Sequence, residues 1–367
     1  MTVRPKSLDF FLFFTVIALL CFGVVMVYSS SAVSAYVNFN DSYYFLKRQI
    51  IWVILGMITM LFTLNVDYHA WRKLATPILI VTIILLILVL IPGLGKVVNG
   101  ARRWLGFGSL YLQPSEFAKL GMVIFCSASL ARHQDKITSF LKGLVPQLLI
   151  LLVVFGLILK EPDLGTALAI GGTIFILFFT AGAKLSHLTS LGLVGVVGII
   201  AAIILEPYRL KRLLAFSNPW ADPLDTGYHI IQSLYALGSG GFFGVGLGRS
   251  REKFLYLPEP HTDFIFAILG EELGFIGTIT VILLFFLFAW RGFKIAIGAP
   301  DLYGSMLAAG LTTMIIMQAL MNIAVVTASM PVTGIPLPFI SFGGSALIFT
   351  LTGVGILLNI SRYTQGK

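Results

Sequence analysis

The chain has 367 residues, 57% hydrophobic and only 11% charged, with a mean hydropathy of +0.95 and a formal net charge of +9. Soluble domains carry about a quarter charged residues, and disordered chains are poor in apolar ones, so both classes are excluded. Apolar runs recur along the whole length, which also excludes a soluble domain on a single anchor. The chain therefore reads as a protein lying mostly within a bilayer. Its basic residues are scattered between apolar runs, as membrane orientation requires, and form no nucleic-acid-binding face. Cys21 and Cys126 fall inside apolar runs and imply neither a disulfide framework nor a cysteine metal site.

A spanning helix needs about 20 mainly apolar residues. Ten such runs are expected, near 10–28, 49–66, 75–92, 114–132, 143–160, 164–181, 187–205, 263–290, 303–327 and 341–360. They do not alternate in polarity as barrel strands would. The expected fold is all-α, one polytopic domain over 1–367 with a long outer segment, 206–262, between the seventh and eighth spans. The first run is longer than a signal-peptide core of about 7–15 residues and is read as an uncleaved helix.

An even number of spans puts both termini on one side. With segment 206–262 set aside, twelve basic residues fall on that side against seven opposite, which places both termini in the cytoplasm. Only Asp9, Asp67, Asp135 and Asp301 fall on the terminal side, and the other twelve of the sixteen acids gather at the outer face.

Five outer-face segments could carry chemistry. Arg102-Arg103-Trp104 precedes Gln113-Pro114-Ser115-Glu116-Phe117-Ala118-Lys119. Pro114 suits a first helical turn, and Glu116 and Lys119 share a face. An ionisable group within a span costs about 2.5–3.5 kcal/mol, so this pair either fixes helix packing or floors a wet groove. Arg102 and Arg103 serve as interface anchors or as anion ligands. Lys160-Glu161-Pro162-Asp163 makes a tight turn in which Asp163 can cap the next helix.

In the outer segment, Tyr228 to Leu237 has helical apolar spacing, as in a helix lying on the membrane. Six glycines follow between Gly238 and Gly248, without the strand that a nucleotide loop requires. They suit close packing or a re-entrant loop. Arg249, Arg251 and Lys253 then form a cationic cluster, either solvated or suited to phosphate. In Leu257-Pro258-Glu259-Pro260-His261-Thr262-Asp263-Phe264, Thr262 can cap the eighth helix, with Asp263 in its first turn. Glu271 and Glu272 lie deeper, in a hydrated path or against basic groups. Last, Pro331 to Pro338 and Ser341-Phe342-Gly343-Gly344-Ser345 form a non-helical loop that packs in protein or lines a cavity.

Together these segments resemble the SEDS family (shape, elongation, division and sporulation) over essentially the whole chain. Leu257 to Phe266 with Glu271-Glu272-Leu273-Gly274 carries the most specific match, joined by Pro331–Ser345 and Gln113–Lys119. The division and sporulation branches are more similar than the elongation branch. The resemblance implies a peptidoglycan glycosyltransferase in the bacterial cytoplasmic membrane. It would polymerise lipid II into β-1,4 strands with inversion, beside a class B penicillin-binding protein and other division or sporulation proteins.

Asp263 matches the family's essential aspartate and is assigned as general base. Arg102, Arg103, Lys119, Arg249 and Arg251 are candidates to hold the diphosphate of an undecaprenyl-linked glycan. Glu116 would orient Lys119. Ser341, Gly343 and Gly344 are expected near substrate, and Glu161, Asp163, His261, Thr262 and Glu271 in support. No cofactor is identified. A divalent cation, Mg or Mn, could assist, although no ligand set is evident. Two rival readings are a lipid II flippase, suggested by the intramembrane Glu271 and Glu272, and a non-catalytic division scaffold.

Overall fold

The computed structural model describes residues 8–98, 100–107, 110–254 and 256–364. Each expected apolar run holds a helix. In order these are α1 (Phe10–Phe39), α2 (Tyr44–Asn65), α3 (Tyr68–Leu90), α4 (Pro114–Arg132), α5 (Val145–Lys160), α6 (Leu164–Thr180) and α7 (Leu185–Ile204). Two shorter helices of the outer segment follow, α8 (Pro207–Ser217) and α9 (Tyr228–Gly240), then α10 (Ile265–Gly298), α11 (Leu302–Val326) and α12 (Gly344–Ser361). The chain is a multi-pass, helical membrane protein. Among the described residues eight helices are long and apolar enough to cross a bilayer by themselves, α5 being counted with the helical turn that precedes it, from Phe140. The other two expected spans are α4, which carries Glu116, Lys119 and Arg132, and α6, which has 17 residues.

α9 lies where the apolar spacing predicts it. α8 and a small antiparallel sheet are additions. Strands β1 (Gly95–Val98), β2 (Ala101–Phe107) and β3 (Leu110–Leu112) form a meander in the order β1-β2-β3 between α3 and α4.

Burial sorts the helices. α11 and α12 are the most enclosed, with 72% of the apolar window of each inside the bundle, while the window of α7 is 6% buried and faces outward. The start of α1 and the end of α12 meet, since the Asp9 N–H donates to Ser361 Oγ at 3.3 Å. At that end Asp9 also accepts from Arg291 Nε at 3.0 Å, tying α1 to α10, and Asp301 pairs with Tyr68 and His69. The opposite end gathers the sheet, the α5–α6 turn, the outer segment and the loop between α11 and α12.

The glycine segment after α9 packs against a break in α10. Gly274 has φ 65°, a conformation open to glycine, and interrupts the helix. The backbone groups near the break are taken up by the glycine loop: Phe275 N–H donates to Gly241 O at 3.0 Å, and Val245 N–H donates to Glu271 O at 3.0 Å. Gly244 (φ 81°) and Gly274 meet so closely that a Cβ on either would strike the other's backbone. The glycines therefore serve close packing, and the interrupted helix is tolerated because protein satisfies its backbone.

Candidate functional site

Asp263 closes a turn just outside α10, whose N-cap is Phe264. The turn differs from the expected capping pattern. Thr262 does not cap the helix; its Oγ1 donates to Glu259 Oε2 at 3.1 Å, and its N–H donates to Glu259 O at 3.2 Å. Asp263 precedes the first helical turn and sits one residue outside the cap.

Two polar side chains fix this turn from behind, and a third holds the loop beside it. Asn322 Nδ2, on α11, donates to Asp263 O at 2.7 Å and to Ile335 O at 2.8 Å. Ser341 Oγ donates to Thr262 O at 2.6 Å and accepts from Leu337 N–H at 2.8 Å. One turn from Asn322, Gln318 Nε2 donates to Pro336 O at 2.9 Å. The α11–α12 loop and the Asp263 turn are thus one assembly hung on α11. Gly334 (φ 72°) lies against the carboxyl, and a Cβ there would come within 3.4 Å of Asp263 Oδ2.

Charges surround the carboxyl from several elements. Burial and the nearby Glu259 and Asp163 carboxylates raise the Asp263 pKa, Arg103 and Arg212 pull it down, and the balance stands at about 7. A carboxyl at that value is suited to take a proton near neutral pH. Asp163 caps α6, accepting from Thr166 N–H at 3.0 Å, and receives Gln113 Nε2 at 3.4 Å. Arg103 Nε donates to Glu161 O at 2.9 Å, and its second arm reaches Pro162 O. Arg212, on α8, donates to Val332 O at 3.2 Å. Glu161 is fully buried, and neither carboxyl oxygen has a hydrogen-bond partner among the described residues. Burial, reinforced by Asp163 and opposed by Arg103, pushes its pKa up to about 9.

The expected residues divide. β2 sends successive side chains to opposite faces, so Arg103 turns toward the α5–α6 turn and Asp263, while Arg102 turns to Leu90 O at 3.1 Å. Arg102 does not join Asp263. Arg249 and Arg251 are exposed on a segment fastened to Glu271 and Glu272, and neither is among the charges felt by Asp263. Lys119 is 4% exposed, pairs with Glu116 at 2.7 Å and donates to Gln318. Glu116 lies against Lys119, and the lysine is turned into the bundle rather than to the rim.

Glu271 accepts from Arg251 N–H at 2.7 Å and from Ser250 Oγ, and Glu272 pairs with Lys253 at 2.8 Å. Both acids are spent on holding the outer segment, so the packing reading applies to them rather than a hydrated path. His261 is packed by Phe45, with ring centroids 4.2 Å apart, and burial lowers its pKa to about 4. Gly344 leaves room for Trp52, and Gly343 is the N-cap of α12.

Gln318, Asn322, Arg212 and Glu259 carry the site without having been singled out in the sequence. Gln318 and Asn322 had a signal, being two amides at i, i+4 within an apolar span. Among the described residues no three of His, Cys, Asp and Glu form a cluster that could hold a metal ion.

The chain is similar to known proteins over its whole length. A family model described as "cell cycle protein" and named for FtsW, RodA and SpoVE matches residues 10–366. Stage V sporulation protein E of Bacillus subtilis is 51% identical over 365 residues, 100% of both chains. A probable peptidoglycan glycosyltransferase FtsW of Trichlorobacter lovleyi is 46% identical, over 98% of this chain and 94% of that one. Among solved structures, a chain of a peptidoglycan synthase complex, described as coordinating polymerization and crosslinking, superposes with a TM-score of 0.81 at 32% identity, covering 97% of this chain and 98% of that one. The rod shape determining protein RodA of Thermus thermophilus superposes with a TM-score of 0.73 at 29% identity, covering 98% and 99%.

Proposed function

Since the chain belongs to the FtsW, RodA and SpoVE family of cell cycle proteins, we propose that it is a peptidoglycan glycosyltransferase of cell division or sporulation. It polymerises lipid II at the outer leaflet of the bacterial cytoplasmic membrane, with both termini in the cytoplasm. A class B penicillin-binding protein cross-links its product. The observation that carries this reading is the Asp263 carboxyl, balanced near neutrality by burial, nearby carboxylates and the charges of Arg103 and Arg212, on the face opposite the Asp9–Ser361 contact.

The acceptor's GlcNAc 4-hydroxyl attacks the anomeric carbon of the lipid-linked chain, and Asp263 takes the hydroxyl proton as the new C–O bond forms. The bond from that carbon to the diphosphate oxygen breaks with its electron pair. The α-linked diphosphate is replaced by a β-1,4 link, so configuration inverts. Glycosidases use a second carboxylic acid to protonate a poor leaving group. A diphosphate leaves readily, and Arg103 and Arg212 lie where its growing charge can be stabilised.

The buried anchoring of Glu271 and Glu272 removes the feature that suggested a transporter. The test is to supply the purified full chain, with and without a class B penicillin-binding protein, with lipid II. Glycan strands from the wild type, and a loss of about 100-fold or more in Asp263→Asn, are expected. Translocation of lipid II in liposomes without any polymer contradicts the proposal.

A further inference from the structure

Glu259 is built into the turn in an unusual way. It stands between Pro258 and Pro260 with φ 50°, a left-handed conformation that costs non-glycine residues energy and usually selects glycine or asparagine. A long acidic side chain in that position points to a use for the side chain itself. Its Oε2 accepts from Thr262 Oγ1 at 3.1 Å, and its carbonyl accepts from the N–H groups of Thr262 at 3.2 Å and Phe264 at 3.5 Å. Backbone and side chain of one residue therefore grip both neighbours of Asp263.

Four segments supply the charges facing Asp263: Arg103 from β2, Asp163 from the start of α6, Arg212 from α8 and Glu259 from its own turn, while α11 and the α11–α12 loop bring uncharged groups. His229 of α9 stacks on Phe264 with ring centroids 5.7 Å apart and feels the charges of both Arg212 and Glu259. His261 sits in the same turn but is packed on Phe45. Of the two nearby acids, Asp163 is committed to capping α6. Glu259 is exposed and has no such duty to a helix.

We propose that Glu259 is a positioning residue for Asp263, bracing the turn that presents it and setting a fixed negative charge beside its carboxyl. The inference rests on Asp263 being the general base and deepens that reading. A negative neighbour disfavours loss of a proton from Asp263 and makes the resulting carboxylate a stronger base. Two arginines alone would hold Asp263 as a weak base.

The test uses the full chain with Glu259→Gln and Glu259→Gly. The glutamine keeps an oxygen that can accept from Thr262 and removes only the charge. The glycine suits φ 50° and keeps the turn unstrained while removing charge and brace. The readout is the acidic limb of the pH–rate profile for lipid II polymerisation. As an activity-independent check, the carboxyl titration is read by infrared difference against Asp263→Asn.

Both variants should move the titration of Asp263 down by about half to one pH unit, and Glu259→Gly should lose more of the plateau rate than Glu259→Gln. A limb and an infrared titration that stay at the wild-type position in both variants overturn the inference. If the limb instead persists in Asp263→Asn, the base assignment itself fails. The two failures are thus told apart.

Discussion

Two sets of charges in this chain use the same residue types to opposite ends. Glu116–Lys119 and Glu272–Lys253 are buried, closed pairs at 2.7 and 2.8 Å. The first lies within α4 and reaches α11 through Lys119 and Gln318, the second fastens the outer segment to α10, and neither is open to a substrate. The group around Asp263 is left unneutralised, with Glu161 and Asp263 both held well above ordinary carboxyl values and their arginines shared with backbone carbonyls. A closed pair gives rigidity. An open group, whose charges must be balanced by something that arrives, gives binding and proton transfer. The first set supports the second through Gln318, which connects Lys119 to the loop that rests on Asp263.

The largest expected effect falls on the closed set. Lys119→Met leaves Glu116 charged and buried, and should cost about 3–5 kcal/mol of stability, read as a large drop in thermal midpoint in detergent. The double variant Glu116→Leu, Lys119→Met should recover most of it. If the single variant keeps its midpoint and loses only turnover, Lys119 belongs to the open set and the division drawn here is wrong.

Arg212→Gln should do the reverse. It should lower polymerisation about 10- to 100-fold with the midpoint kept, since Arg212 is an exposed residue whose structural contacts are one carbonyl and the face of the neighbouring Tyr208 ring.

A third effect, confined to alkaline pH, is expected at Glu161. Its folded pKa is raised to about 9 from the model-peptide 4.5. The folded state therefore binds the proton more tightly than the unfolded one, and stability falls as pH rises from about 4.5 toward about 9. Glu161→Gln should flatten that decline and raise the midpoint by a few degrees at alkaline pH. A decline unchanged in the variant would assign it to another group.

Much of the body was legible because a bilayer permits few solutions. The α4 bounds coincide with the apolar run 114–132, begun by Pro114 at the first helical position. The sheet was not legible, because strands of four, seven and three residues rich in glycine and arginine lack a two-residue apolar rhythm. That hid the difference between Arg102 and Arg103, which depends wholly on strand alternation. Asp263 stood out because charges are scarce in this chain. Arg212 did not, since what makes it part of the site is the fold of α8 back toward the Asp263 turn, which no local pattern encodes. Glu259 lay within the motif, but its left-handed backbone is visible only in three dimensions.

The central claim is that one carboxyl, tuned to about 7, takes the proton during glycan polymerisation. Its most direct test is the pH dependence of kcat/KM for lipid II polymerisation, which reports the groups of the free enzyme. The account predicts a rate that rises with pH as a single group loses its proton, with a midpoint near 7. A rate that is flat from about pH 5 to 8 would contradict it.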